Sequence, residues 1–452
     1  MKKTAVLLAM LILFSFMSPS ITADAAYQVG FEVNADAVYF VNADTGQLIY
    51  EKNADKKIFP ASVTKIMTVV LAIENIKNLD TERVIVEPYM LDEFLDLGYG
   101  YSHAGLLQFE EFKAVDLVYA LMVQSASDAA NTLAAHIGGG SISAFVDMMN
   151  DKAVELGMEN THFMNPHGLH DDNHYTTAYD LYLLTKYAME LPGFMDYAET
   201  SSYGFKTNKR PEPEYLITTN WMQDYSRHPD YYYEYIKGIK TGTTDEGGSC
   251  FVSSAEKNGY SYILILMGAP LYDDKGESLP IKQSFAQTRQ FYDWAFNTFE
   301  IQDLVEEGEF GGEVPLKLAW QKDVLLLKTK DSYSQLVPQN TDATSVMKKA
   351  NIPEYINAPV KEGDKVGTLD VYLMDEIVGS VDLYASENVD RSMPLYLLEV
   401  GKLAVTSGWF KLGVGFLLLF IVFFVAMFIM VNKNRNMKRR RNRSGRSNRK
   451  RR

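Results

Sequence analysis

Leu412–Val431, LGVGFLLLFIVFFVAMFIMV, is an uninterrupted apolar run. It has the length and composition that a helix needs to cross the hydrocarbon core of a bilayer. Trp409 and Lys411 stand just before it, where interfacial anchors belong. Beyond it, Lys433–Arg452 carries twelve Lys or Arg residues and no acid. Basic residues flanking a span favour the cytoplasmic side, so the run predicts a chain whose body, from about Tyr27 to Trp409, lies outside the membrane. Next to a span, the basic tail reads as a stop-transfer and headgroup anchor rather than a nucleic-acid site.

The N-terminus agrees with an exported body. Met1, Lys2 and Lys3 precede a short apolar stretch, Ala5–Met17, and then Ala23-Asp24-Ala25. A basic start, a short apolar core and an A-x-A site are the parts of a secretory signal peptide, assigned here to residues 1–25. The whole chain has 44 basic and 58 acidic residues. Setting the twelve tail bases aside leaves 32 against 58, a net charge of −26. So acidic a body does not suit nucleic acid or an anionic membrane surface as its partner. Cys250 is the only cysteine, so no internal disulfide can staple the exported part.

The pattern along the body predicts two domains. Residues 27–299 mix strand-like runs with helices. Ala37–Val41 and Leu48–Tyr50 flank a turn and read as a hairpin. Pro60 introduces a helix beginning near Ser62, with Ile66, Val69, Val70 and Ile73 at helical spacing. Val115–Met158 reads as mostly helical, Phe251–Ser254 and Tyr260–Met267 as strands, and SFAQTRQFYDWAFNTF as a closing helix. Residues 305–390 alternate short apolar runs with Gly, Asp and Asn turns, as a small β domain does. Residues 391–411 then link it to the span at 412–431, with the tail at 432–452.

Four Ser-x-x-Lys tetrads occur: Ser62/Lys65, Ser254/Lys257, Ser345/Lys348 and Ser447/Lys450. Only Ser62 opens an apolar helix after a proline, where residues three apart share a face and Lys65 can reach the Ser62 hydroxyl. A serine hydroxyl needs a neighbouring base to become a nucleophile. A lysine can serve if burial or a second cation lowers its pKa. Lys240, in Lys240-Thr241-Gly242-Thr243 just before a strand, supplies such a cation. Ser-x-x-Lys with Lys-Thr-Gly belongs to the motif set of β-lactamases and penicillin-binding proteins.

On Pro60-Ala-Ser-Val-Thr-Lys65, Ser125-Ala-Ser127-Asp-Ala-Ala, Asn165-Pro-His-Gly-Leu169 and Gly238-Ile-Lys-Thr-Gly-Thr-Thr-Asp245, the chain resembles the low-molecular-mass penicillin-binding proteins, the serine D-Ala-D-Ala carboxypeptidases. Ala358–Gly367 resembles their C-terminal β domain. The resemblance implies an α/β, β-lactamase/transpeptidase-like fold: an antiparallel sheet flanked by helices, plus an all-helical subdomain. It implies a peptidoglycan stem peptide as substrate, β-lactams as inhibitors and no cofactor or metal. By the same resemblance Ser62 is the nucleophile, Lys65 its base and Ser125 the proton relay to the leaving D-alanine. Lys240, Thr241, Gly242 and Thr243 would hold the substrate carboxylate, and the N–H groups of Ser62 and Thr243 would form the oxyanion hole. Ser127 stands where the family usually has Asn; it lacks an amide donor, which implies altered turnover. The arginine that some relatives carry after Lys-Thr-Gly is absent between Lys240 and Pro270.

Other readings share these residues. His162, His167, His170 and His174 cluster in one loop, as zinc ligands can, but without a regular spacing that converges them. Cys250 fits a small core residue on a strand, and Tyr231–Tyr235 a loop with aromatic packing. A β-lactamase would need a further carboxylate to activate the deacylating water. A non-catalytic sensor of β-lactam or peptidoglycan would keep the same pocket ahead of the span.

Overall fold

The computed structural model describes residues 27–95, 101–320, 322–339, 341–342, 345–373 and 376–447. The signal-peptide assignment to residues 1–25 lies outside them, as does the end of the basic tail. Two compact units emerge, one running to Ile301 and including Leu336–Gln339, the other made of Gln302–Gln335 and the chain from 340 onward.

The first unit is organised by a five-stranded sheet. Its strands are β1 (Ala37–Asn42), β2 (Leu48–Lys52), β3 (Ile236–Thr244), β4 (Gly248–Lys257) and β5 (Tyr260–Ala269), in the spatial order β2-β1-β5-β4-β3. Every pairing is antiparallel. The β1–β2 connection is a tight turn in which the Asn42 side chain accepts from the Thr45 backbone N–H at 2.8 Å. Asn suits that place because its short side chain can mimic a backbone acceptor.

Alternation along the strands feeds two separate cores. Val41, Val252, Ile263, Ile265 and Met267 face one of them. Val38, Phe40, Phe251, Leu264 and Leu266 face the other. A strand buried on both faces reads as continuous apolar sequence, which is why YILILM in β5 shows no alternation of polarity.

Helices cover the two faces. On one side lie α1 (Lys65–Asn75), α2 (Ala114–Val123), α3 (Ser127–Ile137), α4 (Ile142–Glu155), α5 (Ala178–Glu190) and α6 (Phe194–Glu199). On the other, α7 (Gln283–Thr298) packs Phe291, Tyr292 and Ala295 against the sheet. Phe291 meets Phe40 edge-on at 5.5 Å between ring centroids, an arrangement that favours aromatic pairs beyond their buried area. Every residue of α1 from Lys65 to Ala72 is buried. A helix apolar on all sides belongs in a core, and the lysine at its head is therefore held away from solvent.

The second unit contains β6 (Phe310–Lys317), β7 (Val324–Thr329), β8 (Val346–Asn351), β9 (Ile356–Asn357), β10 (Lys365–Leu373) and β11 (Glu376–Ala385), in the order β8-β10-β11-β7-β6-β9. All pairs are antiparallel except β6 with β9. The stretch read as a linker carries a helix, α8 (Met393–Thr406), whose N-cap Ser392 accepts from the Leu395 N–H. After one extended residue, Ser407, comes α9 (Gly408–Ser447). Its segment Gly408–Met437 is long and apolar enough to cross a membrane, with a mean hydropathy of 3.1 in its most apolar window.

Candidate active site

After Pro60 the chain passes through a 3-10 turn, Ala61–Thr64, directly into α1. Ala61 has φ 49°, a left-handed conformation that costs energy in a residue with a Cβ and tends to collect at functional sites. The turn leaves Ser62 partly open to solvent while Lys65 is fully buried. The Lys65 Nζ donates to Ser62 Oγ at 3.0 Å and to the His167 carbonyl at 2.6 Å. Burial, and then the positive charge of Lys240, hold the Lys65 amine well below the ordinary lysine pKa; Asp128 opposes them. An amine that keeps its lone pair near neutral pH beside a hydroxyl can accept that hydroxyl's proton.

The Asn165–Leu169 loop fixes the carbonyl that orients this amine. Asn165 Oδ1 accepts from the N–H groups of His167 and Gly168, and its Nδ2 donates to the Leu169 carbonyl. Thr68 Oγ1 donates to the Pro166 carbonyl at 2.6 Å, tying the loop to α1. Gly168 has φ +85°, and a Cβ there would fall 1.8 Å from the Ala61 carbonyl oxygen, so only glycine lets the loop close on the Ala61–Thr64 turn.

The sequence reading set Lys240–Thr243 just ahead of a strand. The structure places them inside β3, the sheet edge, with Lys240 opposite Val252 and Thr243 opposite Ser249. Glycines at 238 and 242 lower the strand signal and hide it from a pattern search. Lys240 is buried, donates to the Thr241 carbonyl at 3.0 Å, and has its pKa lowered to about 7 by desolvation. Thr241 Oγ1 shares a 2.6 Å hydrogen bond with Thr219 Oγ1.

Ser125 lies between α2 and α3 with φ 60°, a second left-handed residue at the site. Ser127 opens α3; it is buried, and its backbone N–H donates to the Ser102 carbonyl at 2.8 Å. Asp128, next to it, accepts from the N–H groups of Ala104 and Leu106 and so fastens the 102–106 segment to α3.

These elements enclose a cleft of about 180 Å³. Of the residues singled out from sequence, Ser62, Ser125, Thr241, Gly242 and Thr243 line it, while Lys65, Lys240 and Ser127 are not among the lining residues. The sequence reading missed Ser102, Thr219 and Trp221 on the lining, and also Lys282, Ser284 and Phe285 at the start of α7. No local motif marks them; they reach the cleft through tertiary packing.

The four clustered histidines have separate partners. His167 bonds Glu93 at 3.1 Å, and His174 shares a 2.9 Å bond with Thr64 Oγ1. His162 bonds the Asn173 carbonyl, and His170 faces Asp172. Burial lowers the His174 pKa to about 3, which keeps its ring neutral in the core. Cys250 is buried on β4, its thiol pushed up to about 11 by desolvation. In the Tyr231–Tyr235 run, Tyr233 is buried against Tyr292 and its hydroxyl donates to Asp293.

Known proteins share this architecture. Residues 21–271 match the family model described as D-alanyl-D-alanine carboxypeptidase. Residues 299–391 match the one described as penicillin-binding protein 5, C-terminal domain. The D-alanyl-D-alanine carboxypeptidase DacF of Bacillus subtilis is 30% identical over 335 residues, covering 74% of this chain and 80% of that protein. Among solved structures, DacD of Francisella tularensis superposes with a TM-score of 0.63 at 24% identity, covering 81% of this chain and 96% of its own. The Streptomyces K15 DD-transpeptidase gives 0.51 at 28% identity, covering 60% of this chain and all of its own. The first of these family models spans more than half of the sequence, and the chain belongs to the D-alanyl-D-alanine carboxypeptidase family of serine hydrolases.

Proposed function

We propose that this protein is a membrane-anchored serine D-Ala-D-Ala carboxypeptidase that removes the terminal D-alanine from peptidoglycan stem pentapeptides and is acylated by β-lactams at Ser62. The observation that carries the reading is the buried Lys65 amine, 3.0 Å from Ser62 Oγ and depressed in pKa.

In the proposed cycle the Ser62 proton passes to Lys65 Nζ as Oγ attacks the carbonyl carbon of the penultimate D-alanine. The oxyanion is received by the N–H groups of Ser62 and Thr243, donors fixed before the reaction. The C–N bond then breaks, and the leaving nitrogen takes a proton delivered through Ser125. Water, deprotonated by Lys65, attacks the ester and restores Ser62. A β-lactam offers the same amide carbonyl in a ring, so its leaving nitrogen stays tethered and the ester persists. Substrate contacts from the Lys240–Thr243 strand, and the effect of Ser127 in place of Asn, belong to this proposal.

We place the catalytic unit outside the cell membrane, with α9 as the span and the basic tail on the cytoplasmic side. The charge asymmetry across Leu412–Val431 supports that orientation. Two measurements test the function: D-alanine released from a pentapeptide, and the mass of the intact protein after penicillin. One adduct that disappears in Ser62→Ala is expected. An adduct that survives Ser62→Ala removes the nucleophile assignment. Penicillin uptake with no D-alanine release under any condition turns the reading toward a sensor.

A further inference from the structure

Glu93 reaches toward Lys65 from behind the cleft wall. Its side chain stands at the surface, 48% exposed, yet one of its oxygens turns inward. Asn131 Nδ2 donates to that oxygen, Oε2, at 3.0 Å, and His167 Nε2 lies 3.1 Å from it. Asn131 belongs to α3, the helix that Ser127 opens. His167 belongs to the Asn165–Leu169 loop, and its backbone carbonyl accepts from Lys65 Nζ at 2.6 Å. The His167 side chain has no exposed surface. Phe94, the residue after Glu93, meets the imidazole edge-on at 5.5 Å. Neither Glu93 nor His167 is among the residues lining the cleft.

The partners of the ring decide where its proton sits. The Leu169 N–H donates to His167 Nδ1 at 3.2 Å, so Nδ1 is an acceptor. A neutral imidazole with an accepting Nδ1 carries its hydrogen on Nε2, which then donates to the Glu93 carboxylate. Burial holds the His167 pKa below its ordinary value, although Glu93 opposes it. The bond from His167 holds the Glu93 carboxyl below the usual range. Near neutral pH the pair is therefore a neutral ring and a carboxylate. A ring held at both nitrogens resists rotation of the residue whose carbonyl meets Lys65. The neutral Lys65 amine has two N–H bonds and one lone pair. With one N–H committed to the His167 carbonyl, the amine is kept from spinning, and its lone pair stays within reach of Ser62 Oγ, 3.0 Å away.

We infer that Glu93 is a positioning residue for acylation: as the acceptor for His167 it holds the loop carbonyl that aims Lys65, without touching substrate. The inference rests on the proposed reading of Lys65 as the base for Ser62. The role is that of an acceptor rather than of a charge. The carboxylate is half open to water, where its field is screened, and the charges acting on the Lys65 amine are those of Lys240 and Asp128. Asn131 makes the brace two-sided, since α3 and the loop meet on one oxygen. Its Nδ2 also reaches the Met90 carbonyl at 3.3 Å, so α3 keeps an anchor when the carboxylate is removed.

The test uses the full-length protein in detergent and stopped-flow uptake of a fluorescent penicillin. This separates the dissociation constant of the first complex from the rate constant of acylation. Glu93→Ala should slow acylation by about ten- to a hundredfold, the range of a small misplacement at a reacting pair. The dissociation constant should hardly move, because Glu93 lies off the cleft wall. Glu93→Met keeps the packing of the side-chain stem and removes the acceptor, so it should be as slow as Glu93→Ala. Glu93→Gln, whose amide oxygen still accepts from His167 and Asn131, should recover most of the lost rate. Acylation of Glu93→Met at the wild-type rate overturns the inference and leaves the carboxypeptidase reading standing. A Glu93→Gln as slow as Glu93→Met also overturns it, by giving the role to the charge. A wild type that takes up no penicillin removes both.

Discussion

Gly242 packs against the backbone of Ser62 so closely that a Cβ on the glycine would lie 3.0 Å from the serine nitrogen. The same Cβ would meet the Pro60 oxygen at 3.0 Å and the Val63 nitrogen at 3.1 Å. All three neighbours are backbone atoms and cannot swing aside. Gly242→Ala should therefore lift the edge strand off the Ala61–Thr64 turn. Penicillin acylation should slow by at least about tenfold, consistent with the cost of small misplacements in a preorganised site. Thermal denaturation should show a much smaller effect, because the rest of the sheet is untouched. An unchanged acylation rate would mean that the turn and strand adjust together.

The Lys65 amine gives a second expectation, in its dependence on pH. With Lys65 as the proposed base, acylation requires its neutral amine, so the rate should rise with pH through the lowered Lys65 pKa, well under the ordinary lysine range. The positive charge of Lys240 contributes to that lowering. Lys240→Gln should therefore shift the rising limb to higher pH. Lys65→Ala should abolish acylation. A limb that stays in place after Lys240→Gln argues that desolvation alone sets the base.

Lys240 also links stability to pH. Its pKa is about 7 when folded, against the ordinary lysine value of 10.5 in the unfolded chain. Between those values the unfolded chain holds the extra proton, so this group's contribution to unfolding free energy rises with pH, by about 1.4 kcal/mol per pH unit at most. Below about pH 7 both states are protonated and the full penalty for burying the ammonium is felt. Lys240→Met should be more stable relative to wild type at pH 6 than at pH 9. Denaturant melts at the two pH values check the sign.

The Asn165 clamp should matter to both folding and chemistry. Asn165→Ala leaves the N–H groups of His167 and Gly168 without their acceptor, and a lost buried partner costs about 1–3 kcal/mol. The His167 carbonyl would then no longer be held on Lys65. A lower melting temperature together with slower acylation is expected; a lower melting temperature without any kinetic change would separate the loop from the base.

Removing everything after Arg391 should release the body into the soluble fraction. The cut takes away α9, and with it α8, where Leu397, Leu398, Leu403 and Val405 are exposed. A protein that still sediments with membranes has another attachment surface.

Much of this was readable from residues alone, for reasons that differ by element. Ser62 and Lys65 are three apart on one helical face, so their contact follows from local geometry. The hairpin at Asn42 and the span at Leu412–Val431 are likewise local signals. Lys240 was recognisable as chemistry but misplaced as structure, because flanking glycines mask an edge strand. Trp221 and Lys282 were invisible, since their place at the cleft depends on Tyr231, Ser249 and Ser284, contacts that no short pattern encodes. Residues 391–411 were read as a linker from their place between the β domain and the span; they carry helix α8, none of whose residues is buried.

The sheet order carries a consequence for when the enzyme becomes active. β1 lies beside β5, and the Ala61–Thr64 turn packs against Gly242 of β3, so early and late parts of the chain must meet. Pairings so distant in sequence form slowly. On the proposed topology, a chain threaded outward from its N-terminus would present Ser62 and Lys65 while Lys240 was still inside the cell. During that interval the serine would have neither its second cation nor the strand that shapes the cleft. Such a nascent chain would be blind to penicillin, and its first reaction with the drug would time the end of export rather than the start.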